Sequence, residues 1–290
     1  MAQVDMHIHS HFSDGSDSPT QIVQKAKSLG LKAICLTDHD NYEGLPEFVQ
    51  ACREHNMNFL CGIEIMTFFQ GIKIEILAYG IDLPRDEKLK DILSKNWKAH
   101  NLKVQKMLNG YSEHGIFTAT VNDIKRAMDY KGPFATKAWL REFRVQEFDV
   151  EKKQAKQETA KNGVAYAPYD QDKFITPEEV FDFVHALGWR AVLAHGGVIS
   201  KEIPEFQKWT DFIKLLVLQL KPLGLFGVEA YHYRNEKQYT EFLVQMAREH
   251  GLAITGGSDY HGRFQSRQIG QFAISYENFL QFKELINITA

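Results

Sequence analysis

The sequence is poor in cysteine and in uninterrupted apolar runs, and it carries no excess of either charge. Its three cysteines, Cys35, Cys52 and Cys61, stand at no CxxC spacing, which fits a reducing compartment and argues against a structural zinc knuckle. The most apolar long stretch, "FIKLLVLQLKPLGLFGVEAY" at 212–231, is broken by Lys214, Lys221 and Pro222, and no apolar run follows Met1. Neither a membrane span nor a secretory signal is expected, and a cytoplasmic location is. Lys and Arg number 34 against 37 Asp and Glu, for a formal net charge of −3. Without a broad basic field, nucleic-acid binding driven by phosphate neutralisation has little support. The chain has no repeat of constant period and no low-complexity segment. Its 290 residues, 44% hydrophobic, suffice for one large domain or two smaller ones.

What the chain has in abundance is metal-ligand chemistry near its start. The segment "VDMHIHSHFSDGSDSP" at 4–19 places His7, His9, His11 and Asp14 close together. The histidines alternate with Met6, Ile8 and Ser10, the pattern of a strand, so Asp5, His7 and His9 are expected on one face and Met6 and Ile8 on the other. Two imidazoles at i and i+2 can then reach one point.

Strand and helix signals alternate thereafter. "SPTQIVQKAKSLGL" has Ser18 as N-cap, Pro19 in the first turn, Gln21 three residues after the cap and Gly30 at the end, and "TPEEVFDFVHALGW" repeats the arrangement with Thr176, Pro177, Glu179 and Gly188. Strands are expected at "KAICLTDHD", "NFLCGIEIMTFF", "GIKIEILAYG", "RAVLAHGG", "LFGVEAYH" and "LAITGGSDYHG", with a further one at "QIGQFAI". Cys35 and Cys61 read as strand core residues. Several of these strands end at His9, His39, His195 and Asp259, and in a barrel of parallel strands and helices such ends converge at one mouth. The expected class is therefore α/β with a mainly parallel sheet. Between about Pro84 and Ile175 helical spacing takes over, through Leu89, Ile92, Leu93, Trp97, Leu102 and Met107, then "TVNDIKRAMDY" and "TKAWLREFRV"; "EKKQAKQETAKNG" reads as a solvated helix or loop.

In order, "DMHIHS", "SDG", "LTDHD", "GIEI", "LAHGG" and "GSDYHG" resemble the motifs of the PHP family, the polymerase and histidinol phosphatase domain, in its stand-alone phosphoesterase branch. The resemblance implies a distorted (β/α)7 TIM-like barrel made of residues 1–83 and 176–290, with 84–175 as a helical insertion covering the mouth. It also implies two or three divalent ions, Mn, Fe or Zn. Carried over residue by residue, it places His7, His9, Glu64 and Asp259 around one ion and Asp14, His39 and His261 around another, with Glu64 bridging to a third that His195 would ligate. Mixed imidazole and carboxylate sets suit those metals. Asp38 and Asp40 are candidates for orienting imidazoles or, alternatively, for capping the next turn and helix.

The chain departs from the family pattern in two places. Where the family has a further metal-binding histidine, this strand has Glu75, which either serves as an oxygen ligand of a harder third site or pairs with a nearby Lys or Arg and leaves that site weak. Where nucleotide-phosphatase relatives show Arg-Pro-His, this chain has Gly132, Pro133 and Phe134. Lys137, Arg141 and Arg144 are candidate replacements for phosphate contacts, against the plainer reading of a solvated helix face.

The expected reaction is hydrolysis of a small nucleotide-like or sugar phosphomonoester by a metal-bridging hydroxide. Asp14, His232 and Arg234 are the expected catalytic residues, with His232 as ligand, general acid or wall residue. Arg234 and Arg267 are expected to hold the phosphate, with Arg263 a further candidate. Alternatives are a phosphodiesterase or exonuclease acting on nucleic-acid ends, and a metal-binding regulatory domain with little catalysis. His55, His100, His114, His185 and His250 are assigned no function.

Overall fold

The computed structural model describes residues 3–83 and 88–287. The chain runs β1 (Val4–Ile8), α1 (Pro19–Ser28), β2 (Ala33–Leu36), α2 (Leu45–Glu54), β3 (Asn58–Phe69) and β4 (Ile72–Gly80). It continues through α3 (Lys88–Glu113), α4 (Val121–Ala127), α5 (Lys137–Phe148), α6 (Lys152–Glu158), α7 (Pro177–Ala186), β5 (Arg190–Leu193), α8 (Phe206–Leu220), β6 (Leu225–Tyr231), α9 (Lys237–His250), β7 (Ala253–Gly256) and α10 (Tyr276–Asn287). The seven strands form one sheet in sequence order. It curls until the ends meet, where Ile8 bridges Tyr260 and the His9 amide donates to the Tyr260 carbonyl at 2.9 Å. The result is a seven-stranded TIM-like barrel.

Local sequence explains the helices that flank it. Both α1 and α7 begin with Pro and close a reciprocal capping box, Ser18 with Gln21 and Thr176 with Glu179. The β3–β4 pair is a hairpin, and β4 runs antiparallel to both β3 and β5. The other strands are parallel, so their C-terminal ends carry the chemistry, whereas reversed β4 brings its beginning to the same mouth. "QIGQFAI" forms no strand. Ile274 makes a single antiparallel bridge to Val4 instead.

The alternation expected for β1 is broken. Its register against β2 shifts between Asp5 and Ile8, so Met6 packs into the barrel interior with Val4 while Ile8 joins the layer beneath the helices. Asp5 is separated from His7 in role as well. Its carboxylate accepts from the Ser258 and Gly270 amides at 2.9 and 2.7 Å, tying β1 to the chain after β7.

Apolar burial, the main stabilising term, is divided among distinct clusters. One lies between the strands and the flanking helices. A second plugs the barrel, where Met6, Cys35, Leu60, Leu77 and Tyr79 meet Phe279 and Phe282 of α10. Cys35 is thus a core residue, and so is Cys61 in the first cluster. A third belongs to the helices between β4 and α7, built from Met107, Tyr111, Trp139 and Phe143. The long α3 serves two of these clusters, with Leu93 and Trp97 against the barrel and Val104, Met107 and Leu108 in the helical cluster. Leu102, expected on its apolar face, is 39% exposed.

Candidate metal centre and active site

At the mouth the short loop after β1 turns back on itself. Its Ser10 and Ser13 hydroxyls donate to Asp38 at 2.6 and 2.5 Å, and the Ser10 amide donates to it at 2.7 Å. Gly15 is needed there because a Cβ would collide with the His9 carbonyl. The loop thereby presents Asp14 to the imidazoles. Asp38 holds this loop rather than an imidazole or a helix end. Asp40, in the left-handed backbone region at φ 45°, accepts from the Met66 amide at 3.1 Å and from Asn96 at 2.6 Å, and lies 2.8 Å from His100 Nε2. His100, expected to lack a carboxylate partner, therefore has one. It also stacks on Phe134, the residue at the altered triplet, with ring centroids 4.5 Å apart.

The structure brings all nine sequence-predicted ligands together. His7 Nε2 and His9 Nε2 are 3.0 Å apart. Glu64 Oε2 lies 3.2 Å from the first and 3.3 Å from the second, and Asp259 Oδ1 lies 3.7 and 3.2 Å from them. Asp14 Oδ1 is 3.0 Å from His261 Nε2 and 3.8 Å from both His39 Nε2 and His9 Nδ1. Glu64 Oε1 is 2.7 Å from His195 Nε2, while its Oε2 is 3.0 Å from His39 Nδ1. Glu75 approaches His195 at 3.5 Å and His39 at 3.8 Å.

These atoms face one another as ligands do. Glu64 Oε2, His39 Nδ1, Asp14 Oδ1 and His9 Nδ1 are buried and make no hydrogen bond, a costly state in a native interior unless an ion completes it. The side chains fall into sets of three or four within metal-binding reach: His9–Asp14–His39–His261, His7–His9–Asp259, His7–Glu64–His195 and His39–Glu64–Glu75. His9 thus also stands with Asp14, His39 and His261. The donor set, imidazole nitrogen with carboxylate oxygen, fits divalent Mn, Fe or Zn.

Electrostatics agree with the geometry. Burial would make His7 a weaker base, but Glu229 and Glu64 outweigh it and hold its pKa well above the ordinary value. His9, His195 and His261 are raised likewise against burial by neighbouring carboxylates. Burial opposes ionisation of Asp14, Glu64 and Asp259, yet the imidazoles pull all three below the usual carboxylate range.

Glu229 had no distinguishing signal in the sequence. It lies in β6, fully buried, 3.0 Å from His7 Nδ1 and accepting the His195 amide at 2.9 Å. Holding the far nitrogen of an imidazole fixes its tautomer and orientation.

The residues expected to handle substrate take different positions. His232 is buried behind Asp259: its Nε2 is 3.3 Å from Asp259 Oδ2, and its Nδ1 accepts from the Arg234 amide at 3.2 Å. Burial lowers its pKa, so the ring is neutral near pH 7. Arg267 is committed to Asp259, with Nε and Nη2 donating to the backbone carbonyl at 3.0 and 2.5 Å and Nη2 to Oδ2 at 3.2 Å. This buttresses a residue at φ 50°, a conformation that costs about 1–3 kcal/mol unless held. Arg263 pairs with Glu142 at 3.0 Å. Arg144 is buried, paired with Glu158 at 3.1 Å and packed on Tyr111, Phe117 and Phe148, so it is neither a phosphate contact nor a solvated residue.

A cavity of about 750 Å³ opens over the cluster. Asp14, His39 and His261 line it together with Lys103, Lys137 and Arg141, and so does the exposed Arg234. Burial and then the neighbouring cations push Lys103 down to about 6 and Lys137 to about 8. At about 6 the Lys103 amine is largely uncharged at neutral pH, and a bound anion would favour its charged form.

The PHP domain profile matches residues 5–159. This chain belongs to the PHP domain family. A 5′-3′ exoribonuclease of Haemophilus influenzae is 26% identical over 265 residues, covering 89% of each chain. A 3′,5′-nucleoside bisphosphate phosphatase of Chromobacterium violaceum is 25% identical over 262 residues, covering 90% of this chain and 88% of that one. A solved structure from Bifidobacterium adolescentis, described as a metal-dependent phosphoesterase, superposes with a TM-score of 0.80 at 23% identity, over 97% of this chain and 95% of that one. The PHP chain described here is a phosphoester-hydrolysing enzyme with the PHP fold. Among the described residues, no helix is long and apolar enough to cross a membrane.

Proposed function

We propose that the mouth hydrolyses a phosphomonoester of a small nucleotide or sugar phosphate. The observation that carries this reading is the cavity, whose lining brings Asp14, His39 and His261 together with Lys103 of α3 and Lys137 and Arg141 of α5. Its volume suits a small molecule, and its lining cations suit one with a second anionic group besides the phosphate. The reading also treats 84–175 as an insertion over a barrel of 1–83 and 176–290; residues 84–87, where that insertion would begin, lie outside the described residues.

Divalent ions would be held by His7, His9, Asp14, His39, Glu64, His195, Asp259 and His261. When bound they acidify a coordinated water from 15.7 toward about 7 and neutralise phosphate charge. The chain's own groups do the rest. Arg234, exposed and stacked on Tyr233 with 4.6 Å to the ring centroid, offers a planar fork to phosphate oxygens. Lys103, Lys137 and Arg141 hold the distal anion and set the substrate's direction. Arg267 and His232 act through Asp259 as positioning residues. His232 has its donor nitrogen aimed at that carboxylate, so it does not deliver a proton to the leaving oxygen.

A second reading, attack on the 5′ end of RNA, is favoured by Lys152 and Lys156 of α6, which add two further cations to the cavity lining. Specificity constants for nucleoside bisphosphates, mononucleotides, sugar phosphates and a 5′-phosphorylated oligoribonucleotide separate the two. We expect the bisphosphates to be preferred, with Lys137→Ala/Arg141→Ala raising KM more than it lowers kcat. Preference for the oligonucleotide, with a steep salt dependence, would replace this reading by the second.

A further inference from the structure

Strand β4 opens Ile72-Lys73-Ile74-Glu75, and the two-residue period of a strand puts Lys73 and Glu75 on one face. Both line the cavity at the mouth. Where the family pattern has a neutral imidazole, this chain carries a carboxylate, adding one negative charge to a pocket that already holds Asp14, Glu64 and Asp259. Lys73 returns one positive charge. Its Nζ lies 2.8 Å from Glu75 Oε1.

The third subsite would draw on Glu64, His195 and Glu75, and Glu75 is the member already engaged. Its Oε2 is 3.5 Å from His195 Nε2, and the Oε1 that meets Lys73 is 3.8 Å from His39 Nδ1. An ammonium on one oxygen and a divalent ion on the other would face each other across a single carboxylate, in a buried setting where like charges repel strongly. No residue of the sets His7–His9–Asp259 and Asp14–His39–His261 pairs with Lys73, whose ion-pair partner among the described residues is Glu75.

We propose that the Lys73 ammonium is the resident cation of the third subsite, so that this chain binds two metal ions and supplies the third positive charge itself. The inference rests on the metal-centre reading above, but its test does not depend on turnover. The full chain is stripped with a chelator, dialysed to equilibrium against excess Mn, and assayed for bound Mn per chain by mass spectrometry. The wild type, Lys73→Gln and Lys73→Gln/Glu75→His are compared.

The expected result is two ions in the wild type and three in both variants. Three ions in the wild type would overturn the role of Lys73 without any variant being needed, and so would two ions in Lys73→Gln. No ion in any of them would instead overturn the metal centre itself.

Discussion

Glu229 holds the His7 imidazole and the His195 backbone amide at the mouth and is not among the residues lining the cavity. Because it fixes His7 and the His195 backbone at once, Glu229→Gln keeps the shape while weakening the bond that orients the ligand. Mn affinity measured by calorimetry should fall by about 10- to 100-fold with little change in melting temperature; unchanged affinity would make Glu229 a packing residue. Asp14→Asn should sharply lower turnover, by at least about tenfold, while the circular dichroism spectrum stays native. Full activity in that variant with metal still bound would remove Asp14 from the site. His7, His9, His39, His195, Asp259 and His261 were legible because they stand at or just past a strand's end in short polar motifs, whereas Asp14, in the loop after β1, and Glu64 and Glu75, inside β3 and β4, were placed by the motif resemblance. Glu229 was not, since a carboxylate inside an apolar strand creates no local pattern, and only the barrel's closure brings it to His7. Alternation in β1 misled for a related reason: a register shift depends on the neighbouring strand.

Among the elements, α3 joins barrel and helical cluster. Asn96 is its crosspiece: Nδ2 donates to Asp40 and to the Met66 carbonyl at 2.6 and 2.8 Å, and Oδ1 accepts the Ile175 amide at 2.9 Å. Asn96→Ala strands these buried partners, so stability should drop by about 1–3 kcal/mol, read as the midpoint shift in urea. A loss under a few tenths of a kcal/mol would mean that α3 is held by Leu93 and Trp97 alone. Capping boxes made α1 and α7 readable to the residue, because cap, Pro and third residue act locally. The reversal of β4 was not readable, since direction follows from the length of a hairpin connection and from pairing with β5. Arg141 and Lys137 looked like a solvated face because helical spacing does not tell which side a neighbouring barrel will cover.

Taken whole, the molecule is almost neutral in charge, yet one cavity gathers Lys73, Lys103, Lys137 and Arg141 beside carboxylates such as Asp14 and Glu75. Proton linkage follows. The raised imidazoles of the metal-free protein contribute stability that is complete below about pH 6.5, their unfolded value, and is lost as pH rises through the higher folded values. The depressed carboxylates contribute above about pH 4 and lose that contribution as pH falls through still lower folded values. Chelated protein should therefore melt at progressively lower temperature from neutral to alkaline pH, and Mn binding at pH 7 should release protons, detected by calorimetry in buffers of different ionisation enthalpy. A pH-independent melting temperature, with no proton release, would mean that the imidazoles are not held protonated by these carboxylates. On the proposed function, this same cluster hydrolyses a phosphomonoester when metal is bound. The most direct measurement titrates Mn into chelated protein while following phosphate release from a nucleoside bisphosphate. Release is expected to begin and saturate with the bound ions and to rise far less in Asp14→Asn; release at full rate from metal-free protein, or full loading with no release from any phosphoester, would overturn the proposed function.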